Sequence, residues 1–405
     1  MMGVVTFASD DVPAPEVVTG DGVPVPRGFL SHTANVGIKD GSADFSILAA
    51  DGPCQAEAVF TRSRFSGPSV TLSRRHLATG RPRAIVTVSK NANVATGAAG
   101  DRDAEALAAG VAAVLGVATE DVLVASTGVI GRRYPEGKLS AHLGAGPPLG
   151  PADLPAVARA IMTTDTVPKL AGAGVPGSEA TVAGVAKGVG MIEPDMATLL
   201  VYLITDAEVP AGRLDRIFRR VVDRTFNSLS VDTDTSTSDT CILLANGAAG
   251  PVDEGAFERA LEAVATSLVH QLARDGEGAT KLLTVTVTDA RDRAQAKRVA
   301  KAVVNSPLVK TAVHGCDPNW GRVVMAVGKC SEDTDIDPDR VRVAFGAVEV
   351  YPAVLDDSGL AKVAEVMAAD DVTITVALGT GAADATVWGC DLSDGYIRIN
   401  ADYTT

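Results

Sequence analysis

The stretch Lys187–Asp206 reads KGVGMIEPDMATLLVYLITD and holds the most chemically suggestive residues of the chain. A glycine-rich loop runs into Ala197 and Thr198, and an apolar run follows. Two readings are open on these residues alone. In the simpler one, Thr198 begins a buried strand, a common place for threonine. In the other, the chain cuts its own Ala197–Thr198 bond. The threonine hydroxyl attacks the preceding carbonyl of a peptide held in strained geometry, and the resulting ester hydrolyses to free a threonine amino terminus. Such a terminus carries both parts of a catalyst, a hydroxyl nucleophile and its own α-amine as base. An α-amine titrates near pH 8, roughly 2 units below lysine, so a useful fraction is neutral at physiological pH. This chemistry needs neither histidine nor metal.

The commoner catalytic signatures are missing. The sequence has no G-x-x-x-x-G-K-[ST] phosphate loop, no H-E-x-x-H zinc motif and no G-x-S-x-G nucleophile elbow. His32, His76, His142, His270 and His314 form no recognisable triad pattern. Cys54, Cys241, Cys316, Cys330 and Cys390 are odd in number and widely spaced, without C-x-x-C, so neither a zinc site nor a disulfide framework is indicated. Asp232, Asp234 and Asp239 lie in a Thr/Ser-rich run. It lacks the glycine and terminal glutamate of a calcium loop and reads as a set of Asx and Ser/Thr turns. No metal is expected.

Several motifs in order carry a family resemblance. Lys187–Leu200 (KGVGMIEPDMATLL) resembles the processing site of the ornithine acetyltransferases, also called glutamate N-acetyltransferases. NANVATG at Asn91–Gly97, STGVIG at Ser126–Gly131, IMTTD at Ile161–Asp165 and DTDTSTSDT at Asp232–Thr240 match in register. DGEGATK at Asp275–Lys281, SPLVKTA at Ser306–Ala312 and DPNWGR at Asp317–Arg322 continue the series. The details most resemble the members found in clavulanic-acid-type antibiotic gene clusters. Commoner members carry NSGNAN where this chain has VSKNAN, which bears on the pathway, arginine or antibiotic biosynthesis, more than on the chemistry.

The resemblance implies a set of roles. Thr198 is the nucleophile and Ala197–Thr198 the cleavage point. Thr127 and Gly128 form the oxyanion hole. Thr163, Lys187, Thr198, Glu277, Asn400 and Thr405 contact substrate. The physical needs agree: attack on an amide makes a tetrahedral oxyanion that preorganised donors must meet, and an α-carboxylate requires a cation such as Lys187. Glu277 suits an amino group. Asn400 and Thr405 belong to a tail that must dock on the body to take part, since free termini fray. The implied reaction moves an acetyl group from N2-acetyl-L-ornithine to L-glutamate through acetyl-Thr198, without a cofactor. The alternatives are an amidohydrolase or aminopeptidase with the same N-terminal-nucleophile architecture, and a metabolite-binding protein that never processes.

These residues must be positioned by a fold that length and composition constrain. The 405 residues suggest two to three domains at about 150 residues each. By the resemblance they form instead one N-terminal-nucleophile-type fold (DmpA/ornithine acetyltransferase-like), made of an alpha chain 1–197 and a beta chain 198–405 in an α2β2 assembly. Hydrophobic residues make up 46% and aromatics 4%, with 40 glycines, so the core is aliphatic and tightly turned. The net charge of −14 argues against nucleic acid or an anionic membrane as partner. A site for carboxylate substrates on so acidic a chain needs a local positive island, and Lys187 is its candidate.

Strands are expected at Ala84–Val88, Val122–Ala125, Leu199–Thr205, Leu282–Thr288, Val341–Phe345 and Val372–Leu378, which are short and rich in β-branched residues. Phe257, Leu261, Val264, Leu268 and Leu272 recur at spacings of three and four, which places an amphipathic helix over 254–274. Helices are also expected at Asp103–Leu115, Leu154–Ile161, Asp215–Leu229 and Ala294–Val304. The class is α/β with layered sheets and helices. Residues 1–25 read as an irregular arm, and 171–195 as a glycine-rich segment permissive of strain. With no basic–apolar leader and no apolar run of spanning length, a cytoplasmic location is expected.

Overall fold

The computed structural model describes residues 15–193 and 199–402. Three sheets organise them. The first has six strands in the order Val17–Thr19, Lys169–Gly174, Thr181–Lys187, Leu200–Glu208, Thr240–Pro251 and Gln55–Phe60. Leu200–Glu208 runs parallel to Thr240–Pro251 and antiparallel to Thr181–Lys187, with Leu200 opposite Lys187. The second has five strands, Val122–Ser126, Ala84–Val88, Phe45–Ala50, Phe29–Ala34 and Gly150–Pro151. The third joins Val348–Tyr351, Arg342–Phe345, Asp371–Ala377, Leu282–Ala290 and Ala383–Cys390.

Side-chain alternation explains how the first two sheets stack. Leu200, Tyr202 and Ile204 share a core with Leu48, Ile85 and Leu123 of the second sheet. Val201 and Leu203 point the other way, onto Phe218 and Val221 of helix Ala211–Arg224 and Phe257, Leu261 and Leu268 of helix Glu254–Arg274. The outer face of the second sheet buries Ile47, Val86 and Val124 against Leu107 and Val111 of helix Gly97–Leu115. The result is helix, sheet, sheet, helix. A strand covered on both sides must be apolar on both sides, and Leu200–Glu208 is buried along all but its last residue. Tyr202 crosses between the sheets, its hydroxyl 2.7 Å from that of Thr87. The third sheet has a core of its own, where Val285 and Ile374 meet Val299 of helix Arg293–Val304 and Val313 of helix Pro307–His314.

Two expectations need correction. In the stretch read as an irregular arm, Val17–Thr19 forms an edge strand paired with Ala171–Ala173. The glycine-rich segment is largely a hairpin, Lys169–Gly174 with Thr181–Lys187. Gly172 and Gly184 serve close packing: a Cβ on Gly184 would come within 2.7 Å of Leu203 Cδ2 and 3.0 Å of Leu268 Cδ1. A small residue here lets helix Glu254–Arg274 lie on the sheet.

Candidate active site

The strand Val122–Ser126 ends at Thr127 and Gly128, and the turn there is built against the loop that follows Ala84–Val88. Asn91 forms isolated bridges with both Thr127 and Val129. Thr127 N–H donates to the Val88 carbonyl at 3.2 Å, and Ala92 N–H to that of Val129 at 3.1 Å. Ser126 Oγ donates to the Ala92 carbonyl at 2.9 Å. Gly128 has φ +124, and a Cβ would fall 2.3 Å from the Lys90 carbonyl carbon. Both conformation and space therefore demand glycine. Asn91 Nδ2 donates to Arg133 O at 2.9 Å and Asn93 Nδ2 to Gly100 O at 2.9 Å, so the NANVATG motif is the strut beneath this turn.

Thr127, Gly128, Thr163, Lys187, Glu277 and Asn400 all line one cleft of about 140 Å³. They come from five separate parts of the chain. Thr198, Ala197 and Thr405 lie outside the described residues. Leu199, covalently joined to Thr198, lines a smaller adjoining cavity together with Thr127 and Lys187. Leu199 is held from the other side by Thr240, whose N–H donates to its carbonyl at 2.9 Å.

The segments bearing Thr163, Lys187 and Glu277 hang on a buried ionic cluster. Lys169, fully buried, donates to Asp165 Oδ1 at 2.7 Å and Asp275 Oδ2 at 2.6 Å. Asp165 also accepts from Thr163 N–H at 3.1 Å and from Gly188 N–H, the residue after Lys187, at 2.8 Å. Asp275 accepts from Thr166 N–H at 3.1 Å and from the Thr166 hydroxyl. Burial opposes the ionisation of Asp165, but Lys187, Lys169 and these donors hold its carboxyl below the usual range. Burial pushes the Lys187 ammonium below the ordinary lysine value, with Lys169 acting in the same sense and Asp165, Asp239 and Glu277 against it.

Glu277 accepts from Thr164 Oγ1 at 3.2 Å and from Asn400 Nδ2 at 2.9 Å. A Cβ on Gly190 would meet Glu277 Oε2 at 2.5 Å, so glycine leaves room for the carboxylate. Asn400 reaches it from the helix Asp394–Asp402, which packs on Gly278: a Cβ there would fall 2.3 Å from Tyr396 N.

Lys90 also lines the cleft. It has φ +68, and its ammonium is taken up by Asp40 Oδ1 at 2.6 Å and Ser42 Oγ at 2.5 Å. The cleft around Lys187 therefore carries both signs of charge. Lys90 is tied to Asp40, Lys187 sits among carboxylates, and Glu277 supplies a negative pole. A zwitterion fits such a pair of poles better than a simple anion does.

The run Asp232–Thr240 grips the chain just before the undescribed segment 194–198. Asp232 accepts from Met191 N–H at 2.6 Å and Ile192 N–H at 2.7 Å. Glu193 N–H donates to the Asp234 carbonyl at 2.9 Å, and Thr235 Oγ1 to the Glu193 carbonyl at 3.2 Å. The Glu193 carboxylate is held by Asn305 at 2.5 Å, Ser230 at 3.1 Å and Lys301 at 3.3 Å. Among the described residues, no group of three or more His, Cys, Asp or Glu could hold a metal ion. The Asx-turn reading holds for Asp232, whose Oδ1 accepts from Asp234 N–H at 3.3 Å.

The sequence reading missed Lys90, Lys169 and Asp232. Lys169 had a weak signal, a lone lysine entering an apolar, glycine-rich strand, where charge is kept only if paired. Asp232 lay in a motif with no assigned role.

Fold and cleft together define a layered α/β protein with a small two-pole site beside the Thr127–Gly128 turn. The ArgJ family model matches residues 30–405, and the chain belongs to that family. It is 56% identical over 387 residues to glutamate N-acetyltransferase Oat2 of Streptomyces clavuligerus, covering 94% of this chain and 98% of that protein. It is 54% identical over 381 residues to arginine biosynthesis bifunctional protein ArgJ 2 of Nostoc sp., covering 94% and 98%. Among solved structures, it is similar to ornithine acetyltransferase complexed with ornithine from Mycobacterium tuberculosis. That match has 37% identity and a TM-score of 0.43, and covers 45% of this chain and 100% of that one.

Proposed function

We propose that the chain is a self-processing acetyltransferase that moves acetyl from N2-acetyl-L-ornithine to L-glutamate. The observation that carries this reading is the convergence of Thr127, Gly128, Thr163, Lys187, Glu277 and Asn400 on one cleft, with Leu199, the neighbour of Thr198, in the adjoining cavity. In processing, Thr198 Oγ attacks the Ala197 carbonyl carbon and the peptide C–N bond breaks. Water then hydrolyses the ester, leaving an Ala197 carboxylate and a free Thr198 amine. Chains 1–197 and 198–405 stay together, and the α2β2 assembly implied by the resemblance is part of the proposal.

In transfer, the Thr198 amine takes the hydroxyl proton while Oγ attacks the acetyl carbonyl. The oxyanion falls at Thr127 and Gly128, where one well-placed donor is worth roughly a hundred- to a thousand-fold in rate. The amide bond breaks as the proton passes to the leaving nitrogen, releasing L-ornithine. The amine of L-glutamate then attacks the acetyl ester, gives N-acetyl-L-glutamate and restores Thr198. Lys187 receives the α-carboxylate and Glu277 an amino group. No step calls for a cofactor. The setting is biosynthetic and cytoplasmic, in arginine formation or an antibiotic cluster; among the described residues no helix is long and apolar enough to cross a membrane.

The test is glutamate dependence. Release of ornithine from acetylornithine should rise with L-glutamate and follow ping-pong kinetics. Equal release with water alone would make the protein a hydrolase.

A further inference from the structure

We propose that Asp165 is a positioning residue that holds Lys187 in place and in charge for carboxylate binding, and that Lys169 is its structural counter-ion and never a substrate contact. This rests on the transferase reading, in which Lys187 meets the α-carboxylate.

The geometry separates the two lysines. Lys169 is fully buried, and its ammonium is saturated by Asp165, Asp275 and the Val167 carbonyl at 3.4 Å. It does not line the cleft, whereas Lys187 does. Two carboxylates packed around one lysine leave an excess negative charge inside the protein. Asp165 Oδ1 accepts from both Lys169 and the N–H of Gly188. One carboxylate thus fixes the backbone that carries Lys187 and acts on its ammonium with opposite charge.

The groups facing Lys187 are Asp165 after helix Leu154–Ala160, Lys169 at the start of its strand, Asp239 before strand Thr240–Pro251, and Glu277 beyond helix Glu254–Arg274. Burial and Lys169 favour the neutral amine, while the three carboxylates favour the ammonium. Removing Asp165 takes away the first of those carboxylates. The Lys187 ammonium then deprotonates at lower pH, and carboxylate affinity is lost earlier as pH rises. Asp275 shares the same lysine, but the Gly188 N–H donates to Asp165, so Asp275 is the internal control.

The experiment is calorimetric binding of L-glutamate to the processed protein between about pH 6 and about pH 10, for wild type, Asp165→Asn and Asp275→Asn. Glutamate's own amine titrates identically in all three, so only the difference between proteins is read. Asp165→Asn should move the alkaline loss of affinity about 1 unit or more toward acid, and Asp275→Asn should leave its position in place. Asp165→Ser serves if the Asn variant does not fold. A purely structural role would weaken binding equally at every pH, and parallel profiles for Asp165→Asn and wild type would overturn the proposal. Wild-type protein that binds no glutamate and transfers no acetyl group would overturn the transferase reading with it.

Discussion

Asn400 donates a 2.9 Å hydrogen bond to Glu277, across 123 residues of sequence. This bond brings the C-terminal helix to the cleft, and the helix is seated further by Ser393 Oγ donating to the Gly278 carbonyl at 2.5 Å. A hydrogen bond to a charged group is worth about 1.5–3 kcal/mol. Asn400→Ala should therefore raise KM for the amino-acid substrates at least tenfold. Steady-state kinetics with each substrate varied in turn checks this, and an unchanged KM would detach the helix from the site.

Gly128→Ala should cut kcat by roughly a hundred- to a thousand-fold. The methyl group would meet the Lys90 backbone at φ +124, so the turn must move and carry its N–H away from the developing oxyanion. Single-turnover acetylation isolates this step. Full activity in the variant would place the oxyanion elsewhere.

Asp232 and Glu193 fix the last described residues before segment 194–198, while Thr240 fixes Leu199 after it. The chain is thus fixed immediately before and after segment 194–198, and attack on a peptide carbonyl depends on fixed geometry. Asp232→Ala and Glu193→Ala are expected to slow self-cleavage at least tenfold. Denaturing electrophoresis through a time course of fresh precursor reads this directly. Cleavage at the wild-type rate would show that the clamp serves stability alone.

Asp391 accepts from Thr280 N–H at 2.7 Å, Lys281 N–H at 2.9 Å and His314 Nδ1 at 2.7 Å, and so ties the loop beyond Glu277 to the third sheet. Burial opposes its ionisation, yet the bonds from Thr280, His314 and Lys281 hold its carboxyl below the ordinary value. A carboxyl whose folded value is depressed stabilises the fold above its unfolded pKa, near 3.9, and loses that contribution as pH falls through the folded value. Wild-type stability in urea should thus decline below about pH 4 more steeply than that of Asp391→Asn, which lacks the titrating group. Equal slopes would contradict the assignment.

The elements that position the site were legible where one physical signal dominates. Helix Glu254–Arg274 matches its expected span because five apolar residues trace one face and Asp253 caps its start, accepting from Ala256 N–H at 2.8 Å. Strand Ala84–Val88 matches because β-branched residues fill it. Thr127, Gly128, Thr163, Lys187, Glu277 and Asn400 were named from motifs, and one cleft gathers them. The hairpin Lys169–Gly174 with Thr181–Lys187 was hidden, since glycines such as Gly172 and Gly184, present for close packing, look locally like a loop. The Lys169 cluster was hidden as well, because its partners lie 4 and 106 residues away and only the fold reveals the pairing.

The central claim is that Thr198, freed by self-cleavage, carries the acetyl group. Mass spectrometry of purified protein incubated with N2-acetyl-L-ornithine, without glutamate, tests this most directly. The account predicts two fragments, 1–197 and 198–405, with one acetyl group on the second, borne by Thr198 and discharged when L-glutamate is added. Intact, unacetylated chain in active protein, or acetyl on any other residue, would contradict it.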